Sequence, residues 1–81
     1  MIVEKVGRAE WQDMKVGDVR IYTLPDERAK ESARVASQAV MKYDHYDLQR
    51  LFEQDLRQLL GDDYDTVVPN IDTTIAFKRI K

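Results

Sequence analysis

One histidine, two serines in a helix-prone stretch and a scatter of carboxylates are the residues of this 81-residue chain best suited to chemistry. His45 stands beside Asp44 and Asp47. A nucleophile needs a base within hydrogen-bond reach and a third group to orient that base. Ser32 and Ser37 supply no such grouping, and Gly7, Gly17 and Gly61 are isolated, so no P-loop, dinucleotide-binding, kinase or hydrolase motif is present. With no cysteine, a thiolate nucleophile, a thiolate metal site and a disulfide are excluded. The expectation is a protein that is not an enzyme and holds no cofactor or metal, with His45 an exposed residue of a helix-cap region.

Two carboxylate features remain. The run Asp62-Asp63-Tyr64-Asp65 lacks the glycine and glutamate positions of an EF-hand loop and reads as a solvated turn. Asp55 falls between Leu48 and Leu51 on a helical wheel, inside an apolar stripe. There it must reach water at the edge, pair with a cation or carry a raised pKa.

Binding is the stronger prospect, on two surfaces. Arg20, Tyr22, Lys78 and Arg79 give a strand face that could hold nucleic acid through phosphate contacts and stacking. The acidic pI of about 5.3 runs against that footprint. The second surface is acidic, formed by Asp44, Asp47, Glu53, Asp62, Asp63, Asp65 and Asp72, with Asp62, Asp63 and Asp65 the candidates for holding a basic protein partner.

Composition sets the scale on which either surface is presented. The chain is 43% hydrophobic and 35% charged with a net charge of -2, enough patterned apolar content for one folded domain over residues 1–81. A chain of this size has a margin of roughly 5–10 kcal/mol and favours an exposed binding face over a deep cleft. Charge is unevenly spread: residues 43–72 carry eight acidic and two basic groups, whereas residues 73–81 carry three basic and none acidic. Met1–Val6 has no apolar signal-peptide core, and no run approaches the roughly 20 apolar residues of a membrane span. The expected setting is the cytoplasm, without a membrane partner.

The elements that must position these residues centre on a helix from Asp26 to Tyr43. Ala29, Ala33, Ala36, Val40 and Tyr43 recur at steps of three and four, a narrow face of mostly small side chains that allows close packing. Asp26 is placed to cap it. Ile2–Val6 reads as a strand and Arg8–Met14 as a short helix bringing Trp11 and Met14 to one side. Asp18–Leu24 reads as a strand with Val19, Ile21 and Thr23 on one face and Arg20 and Tyr22 on the other. A second helix is expected from the Asp44–Asp47 caps to Leu60, closed by Gly61. Tyr64–Val68 and Thr73–Ile80 then form a hairpin. The whole is an α+β domain: a small antiparallel sheet of three or four strands with two helices packed on one face, in the order β-(short α)-β-α-α-β-β. Apolar helix surface left uncovered would permit a homo-oligomer.

The stretch Met14–Pro25, followed by Ser32-Ala33-Arg34 and the ending Thr74-Ile75-Ala76-Phe77-Lys78-Arg79, resembles a family of small uncharacterised proteins encoded by gut bacteria, their phages and mobile elements. The resemblance covers about half the chain and has no diagnostic motif; the expected helix between Asp44 and Gly61 departs from the family pattern. It implies a phage or mobile-element context and an accessory or regulatory role, with no defined activity. The expectation is thus a small accessory protein binding nucleic acid through Arg20, Tyr22, Lys78 and Arg79. The alternative is an acidic interaction module that uses Asp62, Asp63 and Asp65 to inhibit or recruit a basic partner.

Overall fold

The long helix is set by its ends and by one stripe. In the computed structural model, which describes residues 3–81, α2 runs from Glu27 to Tyr43. Asp26 caps it by accepting the Ala29 N–H at 2.8 Å, as its position predicts. Ala33, Ser37 and Val40 form the buried stripe, with Ala29 and Ala36 partly buried beside it. Tyr43, expected on that stripe, is instead 61% exposed. The helix ends at Asp44, after which His45 adopts a positive φ of 60° and turns the chain away.

Three strands form the sheet among the described residues: β1 (Val19–Thr23), β2 (Leu48–Arg50) and β3 (Thr74–Arg79). β3 is central, and both neighbours run antiparallel to it. Val19 lies opposite Lys78 and Thr23 opposite Thr74, while Leu48 lies opposite Arg79 and Arg50 opposite Phe77. This register places Arg20, Phe77 and Arg50 in one cross-strand row, and Val19, Lys78 and Gln49 in a row on the opposite face.

Helices cover both faces, which corrects the expectation of two helices on one. On the first face, α2 and the short α1 (Arg8–Gln12) pack over Ile75, Phe77, Leu24 and Leu48. Trp11 is fully buried there, its ring edge-on to Tyr22 and Phe77 at 5.4 and 5.0 Å. On the second face, α3 (Glu53–Leu60) and the single turn α4 (Tyr64–Val67) place Leu56, Tyr64 and Val68 against Ala76, flanked by Ile21 and Leu51. Strand alternation therefore sends Ile75 and Phe77 into one small core and Ala76 into another.

Three further expectations are corrected. The second helix does not begin near Asp47: Leu48–Arg50 is an edge strand, its pairing with β3 extended by the Leu51 N–H to Ala76 C=O bond at 3.0 Å. Tyr64–Val68 is no strand, because Tyr64 and Val68 are buried four residues apart, the spacing of a helical turn. No hairpin precedes β3. Of the expected first strand, Ile2 lies outside the described residues, and Val3–Val6 is not strand, although the Val3 N–H bonds Thr23 C=O at 2.9 Å. No helix among the described residues is long and apolar enough to cross a membrane.

Candidate interaction surface

The acidic surface is built by the way α3 ends. Its start is held by the Asp55 carboxylate, which accepts the Phe52 N–H at 2.9 Å. Asp55 is thus an exposed first-turn residue rather than a carboxylate in an apolar stripe, because the helix begins only at Glu53. Gly61 takes a positive φ of 55° and leads into the 3-10 turn Gly61–Asp63, from which α4 starts. The corner leaves Asp62 and Asp63 on the turn and Asp65 in the first turn of α4.

All three aspartates are exposed, and none forms an ion pair among the described residues. Residues 53–68 hold five acidic side chains against the single cation Arg57. Arg57 pairs weakly with Glu53 at 3.8 Å and lies 4.2 Å from the ring centroid of Tyr64. Burial, followed by the charge of Glu53, pushes the Tyr64 phenol up from its ordinary value, and Asp65 adds in the same sense.

An open groove of about 340 Å³ lies between α3 and the sheet. Val19, Leu51 and Leu59 supply its apolar wall, and Asp55 and Lys78 its charges. Leu59 is 56% exposed and Val67 38%. Leu59 and Val67, exposed on either side of the Asp62–Asp65 run in sequence, let this segment combine charge attraction with apolar burial.

Three of the four basic and aromatic candidates, Arg20, Tyr22 and Arg79, share the Phe77 face of the sheet, and Lys78 lies on the other. Arg20 lies beneath α1, donating to the Glu10 carbonyl at 3.2 Å and reaching Asp13 at 3.5 Å. Tyr22 is packed against Trp11. Arg79 donates to the Met14 carbonyl at 2.7 Å, and its guanidinium carbon lies 3.5 Å from the Tyr46 ring centroid. Lys78 alone is exposed, and it is on the opposite face, in the groove. The expected common outward face is corrected on one physical ground: the side of β1 bearing Arg20 and Tyr22 is covered by α1.

His45 is exposed at the end of α2, consistent with a cap-region role. The Ser37 hydroxyl is turned back onto its own helix, donating to Arg34 C=O at 2.6 Å. Sequence reasoning missed Arg50, which projects from β2 beneath α2; its signal, a cation between Leu48 and Phe52, is that of any amphipathic segment. No protein-family model matches the chain, no curated protein matches it in sequence and no solved structure matches its fold.

Proposed function

We propose that the protein is a small non-enzymatic accessory module that docks on a basic partner protein through the corner between α3 and α4. The observation that carries this reading is the set Asp62, Asp63 and Asp65: three exposed carboxylates without ion-pair partners among the described residues, flanked in sequence by the exposed Leu59 and Val67. At physiological salt the field of such charges reaches only about 8 Å, so it acts in the last step of approach and in the choice of partner. Apolar contact at Leu59 and Val67 would supply the affinity. Inhibition or recruitment of a protein that itself handles nucleic acid fits this chemistry, because such partners present basic surfaces. Nucleic acid held directly by Arg20, Tyr22, Lys78 and Arg79 is less well supported, since three of the four are engaged in internal packing or hydrogen bonds.

The test is a salt-series pull-down from host lysate with wild type and an Asp62→Asn, Asp63→Asn, Asp65→Asn variant. The variant moves the net charge from -2 to +1. Its stability is expected to stay within about 0.5 kcal/mol of wild type, because surface changes away from partners cost little. Wild type should retain basic proteins that the variant loses and that rising salt releases. Identical partners for both proteins would exclude the corner as the determinant.

A further inference from the structure

On the other face of the sheet, Arg50 is held in place with part of its hydrogen-bonding capacity unmet. Its Nε is buried and has no hydrogen-bond partner among the described residues, and the guanidinium forms no ion pair there. The guanidinium carbon lies 5.1 Å from the Phe52 ring centroid and 5.8 Å from that of Phe77, so aromatic rings fix its position. Two charges bear on it from α2: Arg34, which repels it, and Glu31, which attracts it but is already hydrogen-bonded to Arg34. Burial, then Arg34, push Arg50 below its ordinary pKa. A cation so placed has acidic groups nearby but none bonded to it among the described residues.

Arg50 is one of the residues that line a cavity of about 200 Å³, with Glu27, Lys30, Glu31, Arg34 and Asp72. Lys30 donates to the carbonyls of Ile71 and Asp72 at 3.3 and 3.1 Å and closes one side. The volume is below the roughly 300 Å³ at which pockets take whole small molecules, so the occupant is a single functional group or a chain end. Glu27, Glu31 and Asp72 in the lining disfavour a doubly charged phosphate and leave a singly charged group as the better match.

We infer that Arg50 forms a binding site for a carboxylate, supplied by a small carboxylic acid or by the free C-terminus of a peptide. A planar guanidinium meets a carboxylate through paired, charge-assisted hydrogen bonds. The site lies across the sheet from the acidic corner and does not depend on the docking role proposed for it.

The experiment follows the Arg50 Nε–H resonance by NMR at constant ionic strength, assigned by its loss in Arg50→Lys. The probes are acetate, a short acetylated peptide with a free C-terminus, the same peptide amidated, and inorganic phosphate. A saturable shift with the acid peptide, absent with its amide, is expected; saturation with acetate as well would identify small carboxylic acids as sufficient. Calorimetric affinity should fall roughly tenfold or more in Arg50→Lys, which keeps the charge but loses the planar fork. No saturable shift with acetate or acid peptide, equal response to the amide, or tighter response to phosphate would overturn the assignment. The acid and amide comparison uses wild type alone, so it stands even if the variant folds poorly.

Discussion

The indole Nε1 of Trp11 donates to the main-chain carbonyl of Ala33 at 3.1 Å, pinning the chain's one tryptophan to the middle of α2. Ala33 is fully buried, and its small side chain lets the ring lie close to the helix. Replacing Trp11 by Phe removes both the donor and part of the ring, and the expected cost is about 1–3 kcal/mol. Urea unfolding followed by circular dichroism measures it. A loss under about 0.5 kcal/mol would show that the bond and the filled volume contribute little.

Arg79 has a structural role that an RNA or DNA contact would not require. It joins the end of β3 to the loop after α1 through Met14 C=O and covers Tyr46. Arg79→Gln should lower stability by about 1–2 kcal/mol through the lost charge-assisted bond and ring contact. Lys78→Gln, on the exposed side of the same strand, should change it by less than about 0.5 kcal/mol. Equal effects in thermal melts would contradict the assignment of Arg79 to the fold.

His45 occupies the left-handed backbone region, at a φ of 60°. A glycine adopts this conformation without the Cβ clash, so His45→Gly should stabilise the protein by about 0.5–1 kcal/mol. The same change to Val should destabilise it, since β-branching is poorly tolerated there. Chemical denaturation of the two variants gives opposite signs if the turn is as described.

Asp44 links α1 to the end of α2. Its carboxylate accepts from Gln12 at 2.9 Å and from Arg8 at 3.1 Å, and these bonds, Gln12 first, lower its pKa below 3.8. For a carboxyl whose folded pKa is depressed, the stabilisation is complete above the unfolded value and disappears as pH falls through the folded one. Wild type should therefore exceed Asp44→Asn in stability at neutral pH, with the gap closing below about pH 4. Urea midpoints measured against pH provide the check; a gap unchanged down to about pH 2 would refute the linkage.

What the sequence discloses depends on how local each cause is. Asp26 announces the start of α2 because a cap acts within three residues, and the alternation of β1 is correct in phase because it needs only the strand itself. Leu48, Leu51, Phe52 and Leu56 keep a helix-like spacing across the β2–α3 boundary, so the strand nature of Leu48–Arg50 is hidden: it arises from pairing with β3, far along the chain. Tyr64–Val68 has strand-prone residue types, yet the burial of Tyr64 and Val68 follows a helical turn. The exposure of Asp62, Asp63 and Asp65 is legible for the opposite reason, since adjacent carboxylates in a glycine-led turn seldom find burial. Burial of the Arg20 and Tyr22 side of β1 is not legible, because it depends on where α1 lies. Arg50 is opaque in the same way, as only the assembled α2 and sheet create its cavity.

The central position of β3 also sets an order of events during synthesis. Among the described residues the strands β1 and β2 pair only with β3, and Ile75, Ala76 and Phe77 serve the two cores from its two faces. A nascent chain that has emerged only as far as Asn70 can form the α2 helix but has no strand to join its edges. Both cores then close together when residues 74–79 arrive, giving a folding step with large sequence separation and few stable precursors. Until that moment Trp11 lacks Phe77, Leu48 and Leu56 lack their β3 partners, and the growing chain is open to proteases and chaperones.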